Sequence, residues 1–389
     1  MITATEKLFE QDVFLTKCQA TVLSCEPYKN DTYSVVLNAT VFYPEGGGQP
    51  CDKGTLGGLP VSFVYVRDGV IYHVVPQPLE VGQTVNGEID PLRRLDFMQQ
   101  HTGEHITTGL AFRMFEANNV GFHLSEATVM LDVDKVLGEE EILLIENMAN
   151  DAIYKNIPVR AWYPNDAEMQ TLAYRSKEGR IHGEDVRIVE IPECDLCACC
   201  GTHLPYTGQV GAIKILDFYK HRGGTRIIMA AGKRALEDYR TQQGQVKRIS
   251  ALLSAKPELV ADATERILQE QENLRLELSA LKNELITLKL KDVAAQNGVT
   301  FYTEANQTPD TLRRMALALL ERGDDSVCAV FSADETDGYK YAVGSNKTDM
   351  RTYGKEMNTA LNGKGGGSKE LIQGSVGAGL EEIKAFFGV

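Results

Sequence analysis

No apolar run in these 389 residues approaches the roughly 18 that a membrane span needs. The opening stretch, residues 1–14, carries scattered acids where a signal peptide would carry an apolar segment. A soluble, cytoplasmic protein with no membrane partner is therefore expected. Cationic charge is in deficit too: 40 Lys and Arg face 54 Asp and Glu, a net −14. That balance argues against broad, non-specific nucleic-acid binding, though it leaves room for a local basic path. Secretory features are lacking, so the eight cysteines read as thiols or metal ligands rather than a disulfide framework. What is present is ordinary for a globular chain, 43% hydrophobic and 24% charged, which excludes a mostly disordered or collagen-like protein. The length is well beyond one domain of about 100–150 residues, so more than one core is expected.

The pattern predicts an α+β protein in four parts. Residues 1–92 are rich in short strand-like runs, such as Tyr33–Leu37, Val61–Val66 and Val70–Val75, with turn signals at Lys53-Gly54, Gly57-Gly58 and Asp68-Gly69. Many short strands with frequent turns suggest a small β-barrel. Residues 93–232 open with helical spacing from Arg93 to Glu116 and then mix strand and helix signals, as in an α+β layer domain. Residues 233–296 read as a helical arm. Its second run, from Pro257 to Gln296, spaces Ile267, Leu274, Leu278, Leu281, Leu285 and Leu288 as a coiled-coil seam. Kept helical throughout, that run spans about 60 Å at ~1.5 Å per residue. Residues 297–389 follow a strand–helix–strand pattern and end in a glycine-rich tail and a short helix, Leu380–Phe387.

Chemistry concentrates in three places. In His101-Thr-Gly-Glu-His105 two imidazoles sit one helical turn apart, at the edge of an apolar stripe of Leu95, Met98, Ile106 and Leu110. Such a pair can share a metal ion or be two ordinary histidines. Cys194-Asp-Leu-Cys-Ala-Cys-Cys-Gly-Thr-His203 adds Cys199 and His203, four residues apart. Together the two pairs supply four nitrogen and sulfur donors, the number and type that zinc prefers. A zinc knuckle made of Cys194, Cys197, Cys199 and Cys200 alone is the competing local reading, and its spacing is cramped. The third place is Gly46-Gly47-Gly48, followed by Gln49, where consecutive glycines permit a tight loop or a close approach of main-chain amides to a ligand.

Tyr43-Pro-Glu-Gly-Gly-Gly-Gln-Pro, Arg93-Arg94 ahead of His101-x-x-x-His105, Asp195 ahead of Cys199-Cys-Gly-Thr-His203, and Gly224-Thr-Arg-Ile227 resemble the editing domain of alanyl-tRNA synthetases. The likeness is strongest to the free-standing alanyl-tRNA editing proteins, the AlaX family. The tail Gly363-Lys-Gly-Gly-Gly-Ser-Lys-Glu-Leu-Ile-Gln-Gly-Ser-Val-Gly377 is similar to the glycine-rich DHHA1 domain at the synthetase C-terminus. The resemblance implies zinc on His101, His105, Cys199 and His203, and hydrolysis of the ester that joins serine or glycine to tRNA(Ala). It implies Gly46, Gly47, Gly48, Arg93, Arg94 and Arg226 as substrate-side residues, and a tRNA-binding, dimerising C-terminal domain. No room stands ahead of the barrel for an aminoacylation domain, so editing is expected rather than ligation. Gln49 and Thr202 are candidates for polar contacts to the aminoacyl end, or serve only to satisfy loop backbone. Glu104 is a candidate general base, but the helical wheel places it away from the apolar stripe, where a solvated surface acid is expected. Gly103-Glu104 departs from the Ala-Thr common in the synthetases.

Two other functions compete. His101-x-x-Glu-His105 also matches the pattern of inverted zinc peptidases, with Glu104 as base and a carboxylate such as Glu184 as third ligand. A non-catalytic tRNA-binding module with structural zinc is the other. A phosphoesterase reading of the tail lacks the acidic metal-binding motifs it would need. RNA contact must be local in so acidic a chain. Between Lys214 and Arg248 nine basic residues face Asp217, Glu237 and Asp238, a net +6 that can follow phosphates or form an ordinary solvated face. The remaining histidines, His73, His123, His182 and His221, have no partner spacing. The two helical runs differ in length, so leucines are left over for a second copy and a homodimer is expected.

Overall fold

The structure, a computed structural model, describes residues 4–176, 186–323, 327–333 and 338–389. It divides into two compact units, Met1–Lys247 and Arg248–Val389, with the division inside the helix Gly232–Leu253. Glu184 and His182 lie outside the described residues. Among the described residues no helix is long and apolar enough to cross a membrane.

The first unit begins with a seven-stranded antiparallel sheet. In sheet order its strands are Leu59–Val61, Gly54–Leu56, Thr84–Ile89, Lys17–Pro27, Tyr33–Leu37, Val70–Val75 and Phe63–Arg67. The two edge strands are consecutive in the chain, with Ser62 alone between them, and the Ser62 amide donates to the Val74 carbonyl at 2.9 Å. The sheet therefore curls until its edges nearly meet, giving the barrel-like form that the run of short strands predicts. Val61–Val66 is not one strand as expected: the chain turns at Ser62 from one edge to the other. The hairpin at Asp68-Gly69 takes φ of 52° and 75°, the left-handed pair that matches strand twist. Exposed and buried residues alternate strictly along Thr84–Ile89, and the inner face packs Val22, Val35, Leu37, Phe42, Leu56, Val64 and Ile71.

A 25-residue helix, Pro91–Phe115, leaves the barrel. Asp90 caps it, accepting from the amides of Leu92 and Arg93, with proline at the first turn, and Glu116 ends it at a φ of 53°. Every residue from Gln100 to Ala111 is buried. The helix thus has no solvent face over three turns. Around it stand a four-stranded antiparallel sheet (Asn119–Leu124, Val129–Val133, Gly224–Ala231, Ile213–His221), the helix Glu139–Tyr154, and a three-stranded sheet (Arg160–Trp162, Ile188–Ile191, Asp195–Ala198). Arg94 fastens the helix to the barrel: its guanidinium pairs with Asp52 and donates to the carbonyls of Val13 at 3.0 Å and Val41 at 2.6 Å.

The second unit carries a five-stranded sheet ordered Val299–Thr303, Val327–Ala333, Tyr339–Gly344, Leu371–Val376, Gly363–Gly367, with the first pair parallel and the others antiparallel. The glycine-rich tail is therefore sheet, supplying its last two strands. Ile286 and Leu290, at the end of the helix Val260–Leu290, pack with the helix Pro309–Glu321 on one side of the sheet. The helices Met350–Ala360 and Leu380–Phe387 pack on the other. The seam residues Ile267, Leu274, Leu278, Leu281, Leu285 and Leu288 are all exposed.

Candidate metal centre

His101 and His105 project from successive turns of the buried helix, Cys199 follows the strand Asp195–Ala198, and His203 stands in the loop beyond it. Their donor atoms all lie within 4.8 Å of one another. The Cys199 Sγ is 3.4 Å from His101 Nε2 and 3.4 Å from His203 Nε2. Donors around one tetrahedral zinc stand about 3.3–3.6 Å apart, given bonds of ~2.0–2.3 Å. The donor types, their number and the two Cys199–histidine distances fit a single ion.

A second ring of residues holds the donors. The Nδ1–H of His101 donates to Gln49 Oε1 at 2.7 Å, and that oxygen also accepts the Thr202 amide at 3.3 Å while Gln49 Nε2 donates to Thr202 Oγ1 at 2.9 Å. Gln49 reaches His101 because the chain reverses at Gly46–Gln49, where Gly47 and Gly48 take φ of 57° and 82°. On the other histidine, Nδ1–H donates to Asp195 Oδ2 at 2.8 Å, and Arg175 Nε holds the second carboxylate oxygen at 2.8 Å. That orientation leaves His105 Nε2 for the ion. Gly201 has no room for a side chain, since a Cβ there would stand 2.2 Å from His101 Cε1. Arg187 Nη1 fixes this loop by donating to the carbonyls of Cys199 at 3.1 Å and Gly201 at 2.8 Å.

The electrostatics favour a bound cation. Burial pushes the Cys199 thiol up, but the three surrounding imidazoles hold it well below the usual thiol range. Burial lowers His105, and the charge of Cys199 with the Asp195 hydrogen bond carries it well above the usual imidazole value. Burial pushes His203 down to about 3, and its Nδ1 is sealed without a partner. Burial also raises Asp195, but His105 and Arg175 hold it below the usual carboxylate range.

The structure brings Gln49, Thr202 and the turn Gly46–Gly48 together behind the donors. Glu104 needs a correction: it is no surface acid but is 2% exposed, because the helix is packed on all sides and the wheel's polar face does not meet solvent. Its Oε1 accepts from Asn119 Nδ2 at 2.6 Å and Thr108 Oγ1 at 3.2 Å. Arg94 is enclosed in its clamp with Asp52. Arg93 lies over the Phe97 ring and pairs with Glu126 at 2.7 Å. Arg226 grips Asp132 across neighbouring strands at 2.6 Å. Cys194 belongs to the hydrophobic core and Cys197 lies with His105 and Asp195, both pushed up to about 11 by burial, so the four thiols of the knuckle reading do not converge. Along the basic run, Lys214, Arg226, Lys233 and Arg234 are already in ion pairs with Glu146, Asp132, Glu237 and Asp96. Arg175, Arg187 and Asn119 gave no signal in the sequence, since these contacts, 12 to 20 residues away, follow no helical or strand spacing.

The profile of the threonyl and alanyl tRNA synthetase second additional domain matches residues 186–228, which carry Cys199 and His203. That of class II (A) tRNA synthetases matches residues 5–93, the barrel. Nearly the whole chain aligns with alanine–tRNA ligases. Identity is 32% for the Pyrococcus abyssi protein, covering 96% of this chain and 42% of that one. It is 33% for Pyrococcus furiosus, with shares of 96% and 42%, and 33% for Thermococcus kodakarensis, with 99% and 44%. The chain is related to the alanyl-tRNA synthetases. It spans about two fifths of the length of these relatives. These relatives are named as ligases.

Proposed function

We propose that this alanyl-tRNA synthetase relative is a trans-editing hydrolase. It deacylates tRNA(Ala) that carries serine, and glycine more slowly, at a zinc site formed by His101, His105, Cys199 and His203. The observation that carries this reading is the convergence of these four donors, with Gln49 and Asp195 fixing two of them, in a chain so related. An aminoacyl ester is already activated, so cleavage needs orientation and stabilisation of developing negative charge more than a strong nucleophile. When bound, zinc supplies a Lewis acid. Gln49 and Thr202 hold His101, and Asp195 and Arg175 hold His105, while one water adds to the acyl carbon and the tRNA ribose oxygen leaves with a proton, giving free amino acid and free tRNA. Serine is favoured because a polar pocket gains a hydrogen bond that alanine cannot make. The exposed leucines of Val260–Leu290 serve a homodimer, and the second unit grips tRNA.

Four protein donors fill a tetrahedral shell, and that favours a second reading, a tRNA-binding module with structural zinc. Chelation separates them. Seryl-tRNA(Ala) should be discharged by the zinc-loaded protein, spared after chelation, and discharged again on adding zinc. Tight tRNA binding without turnover in any state would establish the module instead.

A further inference from the structure

Two carboxylates touch the histidines of the metal centre, and they are used differently. Asp195 is fully engaged, one oxygen by His105 and the other by Arg175. Glu104 is half engaged: Asn119 and Thr108 hold Oε1, while Oε2 stands 3.7 Å from His105 Nε2 and accepts no hydrogen bond among the described residues. The Glu104 side chain itself is 3% exposed. Glu104 does not belong to the group of four mutually close donors. The carboxylate is thus held rigidly at one oxygen and presents the other beside the metal position without completing its shell.

An aminoacyl ester carries an ammonium one carbon from the scissile carbonyl. Bringing that cation into a closed site is costly unless an anion meets it. One thiolate and three neutral imidazoles around a divalent ion leave net positive charge, which makes a separate anion necessary. We propose, resting on the editing reading, that Glu104 Oε2 binds the α-ammonium of the aminoacyl group and so selects esters with a free amine. Asn119 and Thr108 are the positioning residues that aim it.

The test is isothermal titration of the zinc-loaded full chain with 3′-deoxy-3′-(serylamino)adenosine, whose amide replaces the ester, and with its N-acetyl form. The wild type should prefer the free amine by on the order of tenfold or more, the weight of one charge-assisted hydrogen bond. Glu104→Gln should lose that preference with zinc content unchanged, and Glu104→Asp should recover part of it. Equal binding of both compounds by the wild type, which requires no variant to fold, overturns the proposal. If seryl-tRNA(Ala) is still discharged in that case, the editing reading stands alone. If the wild type binds neither compound and discharges nothing, the editing reading falls and takes the proposal with it.

Discussion

At His105 a second side chain decides which nitrogen is left for a metal. Asp195 is buried, accepts from Nδ1–H and is itself held by Arg175, so Asp195→Asn weakens the hold and permits the wrong tautomer. Metal affinity should fall about 10- to 100-fold, as for other partners of metal-bound histidines. Competition with a chromophoric chelator measures this, and unchanged affinity would remove Asp195 from the site. Gly201→Ala acts by crowding, since its Cβ would strike the His101 ring. Purified Gly201→Ala should carry well under the one zinc per chain expected of the wild type. The His101/His105 pair was legible because a four-residue spacing on a helix fixes relative direction. The buried place of Glu104 was not. A helical wheel assumes one solvent face, and the packing that removes that face comes from strands as distant in sequence as Gly224–Ala231.

Among the elements, the joint between barrel and helix is the most exacting. Arg94→Met leaves Asp52 charged, buried and unpaired, at a cost of roughly 3–5 kcal/mol. Urea denaturation should show that loss, and Arg94→Met with Asp52→Asn should recover part of it; a single variant as stable as the wild type would contradict the clamp. Within the barrel His73 is wholly buried between Thr40 Oγ1 at 2.8 Å and the Val35 carbonyl at 3.1 Å, and burial lowers its pKa to about 4. The folded barrel holds the neutral ring. Its contribution is therefore whole above pH 6.5 and is lost as pH falls toward 4, on the order of 3 kcal/mol in all. Melting the metal-free wild type and His73→Gln between pH 7 and 4.5 should show the steeper decline in the wild type. Equal slopes would place the acid sensitivity elsewhere. Strands bounded by glycine turns, such as Val70–Val75, read clearly in the sequence. The hairpin of Gly363–Gly367 with Leu371–Val376 did not, because glycine carries no alternation to read.

For the whole molecule, the acidic excess means that the proposed tRNA partner would be held locally, with exposed Lys220, Arg222, Arg240 and Lys247 and the second unit as the proposed contacts. The leucine seam was legible as a repeat, but the sequence could not say what covers it. A second copy should do so. Light scattering should find a dimer that Leu274→Lys with Leu281→Lys turns into a monomer, and a monomeric wild type would refute it. The central claim is hydrolysis with selection, and one measurement reaches it most directly. The zinc-loaded chain is mixed with seryl-, glycyl- and alanyl-tRNA(Ala) in parallel, and the rate of discharge is followed for each. The account predicts serine fastest, glycine slower and alanine left essentially intact. Equal rates on all three, or none on any, would contradict it.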